Sequence, residues 1–169
     1  TLTFSIPDDI NLKEVIPSFT ANTDDITYNN AYLKSGKSTI SIVDNDILKI
    51  VVVNRYHDTK PAVAFIKNFN LKSGAIASTV AHDSHNIIAV GVDEESISRA
   101  VNLLIKNKGG LSVVDGKEEN VLPLPIAGLI SDLSCDEVGD LYSVIDKKVK
   151  SMGCTLRAPY MTLSFMALL

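Results

Sequence analysis

Length, composition and charge narrow the classes of protein to which this chain can belong. It has 169 residues, of which 46% are hydrophobic, enough for one domain with a buried core. Its formal net charge of −4 argues against binding nucleic acid through the phosphates. Every apolar run is shorter than the ~20 residues needed to cross a bilayer. We therefore expect neither nucleic acid nor a membrane as a partner.

The first part of the chain differs from the rest. Residues 1–20 carry Pro7 and Pro17 between short apolar pairs, and residues 21–38 are rich in Asn, Thr, Ser and Asp. These features predict a connecting arm and polar loop over 1–39, followed by a packed domain over 40–169. The start at Thr1 without a methionine and the apolar run over 165–169 suggest a piece of a longer protein.

Six strands are predicted. Short runs of β-branched and other apolar residues indicate buried strands over 47–53, 62–69, 75–80 and 86–92. Two further strands, 111–114 and 121–122, form a predicted hairpin whose turn contains Asp115-Gly116. Because a hairpin joins antiparallel strands, the sheet is not expected to be purely parallel.

Two helices are indicated by apolar periodicity and by capping residues. The first has Asp93 as its N-cap and stops at Gly109. The second begins with the capping box Ser134 to Glu137 and stops at Gly153. The expected fold class is α+β with mixed α/β layers: a mixed or largely antiparallel sheet with packed helices.

The two cysteines do not form a disulfide framework or a zinc motif. Cys135 and Cys154 flank the second predicted helix, which would hold its ends about 27 Å apart if it has about 18 residues. Reduced thiols are therefore expected, and they favour a cytoplasmic protein.

A polar cluster lies between the third and fourth predicted strands. His82, Asp83, Ser84 and His85 are the candidate catalytic residues, and Asn86 follows them as a candidate binding residue. Polar groups between buried strands must be hydrogen-bonded, metal-bound or turned toward a ligand. The spacing of the two histidines fits metal ligands on a helix, but this context is a turn, so a hydrogen-bonded turn or pocket wall is favoured over a metal site. Ser84 lacks the Gly-x-Ser-x-Gly elbow of a hydrolase nucleophile.

Asn54 and Arg55 directly follow the first predicted strand and are the other candidate binding residues. Strand ends often supply ligand groups, and an arginine suits a carboxylate or phosphate. The alternative is that Arg55 pairs with an acid such as Asp83 and ties two strand ends together.

Two runs are distinctive in combination: His-Asp-Ser-His-Asn at 82–86 and Leu-Pro-Leu-Pro-Ile-Ala-Gly at 122–128. Together with the stretches at 46–50, 53–55, 71–78, 80–81, 87–88, 109–111 and 159–165, they resemble the C-terminal domain of adenine deaminase, an enzyme of the amidohydrolase type. The order and spacing fit from about residue 40 to the end. Asn68 and Asn70 stand where the family tends to have glycine, and residues 21–40 look unlike the family.

The resemblance implies a parent enzyme that hydrolyses adenine to hypoxanthine and ammonia in purine salvage. In that family, manganese or iron activates water in a barrel of about 250 residues that precedes this domain. The barrel requires a His-x-His pair, which this chain lacks. We therefore expect that this segment lacks the amidohydrolase barrel and holds no metal. Its expected partners are that N-terminal catalytic barrel, adenine and further copies in a homo-oligomer.

Two other functions remain open at this point. The chain could be a stand-alone module that binds a small ligand, such as a purine, without catalysis. It could also be a self-contained metallohydrolase that uses His82, His85 and nearby carboxylates. The supporting domain of an adenine deaminase ranks first, because it follows from the resemblance. The metallohydrolase ranks last, since three histidines leave few further nitrogen ligands for a metal.

Overall fold

The fold is an antiparallel sheet with helices on both faces. The computed structural model describes residues 43–168, so the arm and polar loop predicted over 1–39 lie outside it. Six strands and three helices follow a short 3-10 turn at Val43–Asn45. The strands are β1 (Leu48–Val53), β2 (Ala62–Ile66), β3 (Ala75–Ser78), β4 (Ile87–Gly91), β5 (Gly110–Asp115) and β6 (Glu118–Pro123), and the helices are α1 (Glu94–Lys106), α2 (Cys135–Ser151) and α3 (Pro159–Phe165).

All five strand pairings are antiparallel, in the order β2-β1-β4-β3-β5-β6. The predicted α+β class with a largely antiparallel sheet is therefore confirmed, and no barrel is formed by the described residues. The hairpin of β5 and β6 is also confirmed, although both strands are longer than the sequence predicted. The strands predicted over 62–69, 75–80 and 86–92 are shorter in the structure, where they span 62–66, 75–78 and 87–91.

Helix α1 covers one face of the sheet, and α2 and α3 contribute to the core on the other. The α1 face is lined by small residues, including Ala75, Ala77 and Ala89, which let the helix approach the strands closely. On the opposite face, larger side chains of the sheet, including Ile76 and Ile88, pack against α2 and α3. Strands β3 and β4 are buried on both faces, which explains their continuous apolar sequence.

The helix starts follow the sequence signals. The Asp93 carboxylate accepts a hydrogen bond from the Ser96 amide at 2.7 Å, and Ser134 with Glu137 forms the predicted capping box. Helix α3 was not predicted from the sequence. Its seven residues span only about two turns, too few for a helical period to be visible.

Two asparagines, Asn68 and Asn70, shape the turn before β3. Asn68 and Asn70 have φ angles of 73° and 58°, in the left-handed region that asparagine tolerates. Both backbone amides donate to the Asp46 carboxylate, the Asn70 amide at 2.6 Å. These two hydrogen bonds to one carboxylate stabilise the turn.

One charged side chain lies inside the sheet. Lys49 in β1 is fully buried, and its ammonium group pairs with Glu94 in the first turn of α1. A buried charge needs such a partner.

The two cysteines of the chain, Cys135 and Cys154, are free thiols. No helix within residues 43–168 has both the length and the apolar character needed to cross a membrane.

Candidate functional site

Several chain segments with polar residues meet at one end of the sheet. The register pairs Val53 at the end of β1 with Ile87 at the start of β4, and Ser78 at the end of β3 with Leu111 near the start of β5. Pro123 at the end of β6 pairs with Gly110. The segments that follow or precede these strands therefore share one edge of the molecule. We call it the strand-end surface, made of residues 54–56, 79–86, 108–110 and 124–130.

The loop between β3 and β4 is a tight turn held by its own backbone. The His85 amide donates to the Ala81 carbonyl at 2.9 Å, and the Ser84 amide donates to the His82 carbonyl at 2.9 Å. Asp83 and His85 both have positive φ angles, 66° and 49°. Such angles cost free energy in residues with a side chain, so the surrounding contacts must hold the turn in place.

His82 is anchored to α3. Its amide donates to the Ser164 carbonyl at 2.9 Å, and its imidazole stacks on the Phe165 ring with centroids 4.1 Å apart. This stacking fixes the ring plane. His82 therefore connects the turn to the last described helix, a contact that joins residues far apart in sequence.

The catalytic candidates are not arranged as a nucleophile and its base. The Ser84 hydroxyl accepts from the Asn86 amide at 3.4 Å, and within residues 43–168 no hydrogen bond joins it to either imidazole. Asp83 is exposed. The Nδ1 atom of His85 is buried and has no hydrogen-bond partner among residues 43–168. A buried nitrogen without a partner is costly, so His85 is the member of the turn that most needs a further contact.

The candidate binding residues are brought together. The Arg55 amide donates to the Asn86 side-chain oxygen at 3.2 Å, which joins the end of β1 to the start of β4. Asn54 accepts with its side-chain oxygen from the amides of Tyr56 and His57, at 2.8 and 3.0 Å. Asn54 thereby turns the chain at the strand end.

The Arg55 guanidinium contacts the loop after β6. Its Nη2 donates to the Ala127 carbonyl at 2.8 Å, while Nη1 is buried without a hydrogen-bond partner in the part of the chain that the structure describes. No ion pair joins Arg55 to Asp83 among the described residues, so the pairing considered from the sequence is wrong. A backbone carbonyl 72 positions away occupies one side of the guanidinium instead.

Thr79 also stabilises the loop after β6. Its hydroxyl donates to the Gly128 carbonyl at 2.6 Å and accepts from the Gly110 amide at 2.8 Å. Gly109 lies against Gly128 so closely that an added Cβ at Gly109 would be 2.4 Å from the Gly128 Cα. The loop is thus held both by Thr79 and by the close approach of two glycines.

A cleft of about 300 Å³ opens beside Arg55. Asn54, Arg55, Thr79 and Lys108 supply its polar groups, and none of its lining residues is acidic. Its apolar lining comes from the strand ends and the last turn of α1: Val53, Ile87, Leu104 and Ile105. Such a cleft favours a small ligand with an acceptor group on a compact apolar body.

A second cleft of about 240 Å³ lies on the opposite face of the sheet. Its lining is mostly apolar and aromatic, with His82, Tyr142 and Tyr160 among the contributors. Burial raises the pKa of the Tyr160 hydroxyl well above its ordinary value, so this group stays a neutral donor. It donates to the Ser112 carbonyl at 2.8 Å and is not free for a ligand.

Sequence reasoning missed four residues that shape this surface: Thr79, Lys108, Gly128 and Phe165. Thr79 had a weak signal, because it lies near the end of the strand predicted over 75–80, shortly before the polar cluster. Lys108 comes just before Gly109, the predicted stop of the first helix, and so had no signal of its own as a cleft residue. Gly128 contacts Arg55 and Phe165 contacts His82, each more than 70 positions away, and a single sequence carries no signal for such contacts.

The fold and site define an α+β domain whose strand-end surface carries buried polar atoms without partners. Comparison with known proteins gives the family. The family described as "Adenine deaminase C-terminal domain" matches residues 24–169. The chain therefore belongs to the adenine deaminase C-terminal domain family.

Curated relatives agree with this family. The chain is 55% identical to a protein named adenine deaminase from Sulfurovum sp., over 81% of this chain and 25% of that protein. It is 51% identical to an adenine deaminase from Methanosarcina mazei, over 77% of this chain and 23% of that protein. It is 43% identical to an adenine deaminase from Methanosphaera stadtmanae, over 96% of this chain and 32% of that protein. The chain thus spans a quarter to a third of the length of these relatives.

Proposed function

We propose that the parent protein hydrolyses adenine to hypoxanthine and ammonia in purine salvage, and that this chain is its supporting C-terminal domain. The family match and the printed names of the relatives support this proposal. The two free cysteines are consistent with a cytoplasmic parent. The proposed partners are an N-terminal catalytic barrel, adenine and further copies in a homo-oligomer.

The described residues do not suit the metal that the family implies. His82 and His85 lie in a turn, and the His82 ring is stacked on Phe165. Within residues 43–168, no group of three or more histidine, cysteine, aspartate or glutamate side chains could hold a metal ion. We assign the metal, manganese or iron, to the barrel of the parent, where it would activate water.

The observation that carries a role for this domain is that two of the three buried polar side-chain atoms without a partner among residues 43–168, Arg55 Nη1 and His85 Nδ1, lie at the strand-end surface, the third being Asp146 Oδ1 in α2. Buried polar groups in folded proteins nearly always have a partner. Exposed apolar side chains on the same surface add a second reason for a contact: Tyr56, Ile126 and Ile130. We propose that this surface packs against the barrel and forms part of the wall of its active site.

Replacement of His82 and His85 by alanine in the full-length enzyme tests this role. We expect kcat/KM for adenine to fall about tenfold or more, the equivalent of about 1.4 kcal/mol or more of barrier. Metal content should stay unchanged, because neither histidine would be a metal ligand. His57→Ala is the matched control: it removes the third histidine of the chain, which is exposed and belongs to neither cleft.

The result that would reject the proposed role is a double variant with normal turnover, normal adenine affinity and normal assembly. Loss of metal from the double variant would instead make the histidines ligands and reject the assignment of the metal to the barrel. Absence of adenine hydrolysis by the unaltered full-length protein, with metal bound, would reject the proposed activity itself.

A second candidate function is a purine-binding module without catalysis. The aromatic cleft lined by His82, Tyr142 and Tyr160 favours it, because planar bases stack on aromatic rings. Calorimetry with adenine on this chain separates the two functions. Specific micromolar binding would favour the module, and no binding would leave the supporting domain as the proposal.

A further inference from the structure

The cleft beside Arg55 presents hydrogen-bond donors and no acid. Arg55 and Lys108 are cationic, and Asn54 uses its side-chain oxygen for the amides of its own turn, so its amide nitrogen remains as a donor. Within the described part of the chain, Lys108 makes no ion pair. A group with acceptor atoms and a negative charge complements these three side chains.

Arg55 lacks an acceptor at one of its guanidinium nitrogens. Its Nη2 donates to the Ala127 carbonyl, whereas Nη1 is buried without a partner among the described residues. A charged donor left buried and unpaired costs more than a neutral one. Tyr56, whose ring centroid is 5.7 Å from the guanidinium carbon, cannot replace a hydrogen-bond acceptor.

The remaining lining of the cleft limits which negatively charged group a ligand can have. Four aliphatic side chains line it, and Ile105 is 48% exposed at its edge. The last turn of α1 also contributes to the lining, and a helix C-terminus carries partial negative charge. A phosphate dianion would meet both an apolar lining and that charge, whereas a singly charged carboxylate loses less hydration on entering.

We propose that this cleft binds a carboxylate carried on a compact apolar group, held by Arg55, Lys108 and Asn54. The carboxylate has two sources with the same chemistry: a free small acid, or an aspartate or glutamate side chain from the rest of the parent protein. This inference rests on the strand-end site proposed above, but it does not depend on adenine hydrolysis. Its test therefore uses binding and cross-linking rather than turnover.

The first measurement is the thermal unfolding of the full-length parent protein with sodium isobutyrate or with isobutyramide. The two probes have nearly the same shape, and only the first is charged. A free-acid site gives a saturable rise in Tm with isobutyrate and none with the amide. Arg55→Met and Lys108→Met should each weaken the apparent affinity about tenfold. Lys106→Met is the matched control, because Lys106 is an exposed lysine at the end of α1, two positions before Lys108, and does not line the cleft.

The second measurement identifies a carboxylate supplied by the protein. In that case the cleft is already filled, so isobutyrate has no effect on Tm. Carbodiimide, which joins an amine to a carboxylate in contact with it, should then link Lys108 or the amine of Arg55→Lys to an acidic residue outside 43–168. Mass spectrometry of the linked peptides names that residue, and Lys106 should give no such link.

Three results would overturn the proposal. One is equal stabilisation by isobutyrate and isobutyramide. Another is isobutyrate binding that persists unchanged in Lys108→Met, a variant that leaves the hydrogen bond between Arg55 and Ala127 in place. The last is absence of both isobutyrate binding and cross-linking. Failure of adenine hydrolysis would affect only the proposed activity and would leave these readouts unchanged.

Discussion

The guanidinium of Arg55 lies directly against the backbone of Gly128, with no room for a side chain between them. A Cβ added to Gly128 would be 2.3 Å from Arg55 Nη1 and 2.8 Å from its Cζ. Gly128 also has a φ angle of +73°, which disfavours any residue with a side chain. This contact joins the end of β1 to the loop after β6 and shapes the strand-end surface.

Gly128→Ala should therefore destabilise the chain by about 2 kcal/mol or more, since a left-handed alanine costs roughly 1–2 kcal/mol before any clash is counted. Gly116→Ala is the matched control. Gly116 has a φ of +57°, but an added Cβ there meets nothing within 4 Å. Denaturant unfolding of both variants measures the difference. Equal losses would mean that Arg55 moves away freely and does not hold the loop.

The sequence predicts those features of the fold that have local causes. The Asp93 cap, the Ser134 capping box and the hairpin turn are each set by residues within a few positions of one another. The strand-end surface could be predicted only in outline, because Asn54 and Arg55 follow one strand and the polar cluster lies between two others. The contact of Arg55 with Gly128 and the stacking of His82 on Phe165 depend on the packing of the whole domain.

The burial of Lys49 shows a different limit of the sequence. It lies within an otherwise apolar strand, and nothing in that run predicts whether its ammonium group reaches solvent. The outcome depends on Glu94, 45 positions away, whose place in the first turn of α1 is favourable to the helix by itself. One glutamate therefore serves both the helix and the buried lysine, and only the tertiary structure reveals the second role.

Tyr160 connects α3 to β5 of the sheet. Its buried hydroxyl donates to the Ser112 carbonyl at 2.8 Å, and the Ser112 hydroxyl donates to the Ala100 carbonyl of α1 at 2.8 Å. Tyr160→Phe should cost about 1–2 kcal/mol, because it leaves a buried carbonyl with one partner fewer. Tyr142→Phe, at a half-buried tyrosine 6.3 Å from the Tyr160 ring, is the control and should cost less. A loss in Tyr160→Phe no larger than in the control would contradict this role.

Lys148 connects α2 to the β5–β6 hairpin through two acids. Its ammonium lies 2.8 Å from Asp115 and 2.6 Å from Glu118. Hydrogen bonds to these acids raise the pKa of Lys148, and the hydrogen bond from Lys148 is the main cause that lowers the pKa of Asp115. Lys148→Met should lower Tm at neutral pH and low salt, and high salt should reduce the loss. Lys147→Met, at an exposed neighbour, should have a smaller effect.

The pH dependence of that loss follows from the two pKa shifts. The lowered pKa of Asp115 contributes stability above its ordinary value of 3.8, and this is lost as pH falls through the folded-state pKa. The raised pKa of Lys148 contributes stability below its ordinary value of 10.5, and this is lost as pH rises through the folded-state pKa. The difference in Tm between wild type and Lys148→Met should be largest between these limits. A difference that does not change with pH would exclude the ion pairs as its cause.

Gly139 in α2 is a position where a substitution should raise the stability of the chain rather than lower it. It lies in the exposed part of the helix, its φ is not in the left-handed region, and an added Cβ meets nothing within 4 Å. Gly139→Ala should therefore stabilise the chain by about 0.5–1 kcal/mol, mainly because alanine loses less backbone entropy on folding. Thermal unfolding at fixed pH measures the gain, with Ser143→Ala as a check that the Ser143 hydroxyl, which donates to the Gly139 carbonyl at 2.8 Å, contributes little. A lower Tm for Gly139→Ala would mean that this face of α2 is covered by another part of the protein.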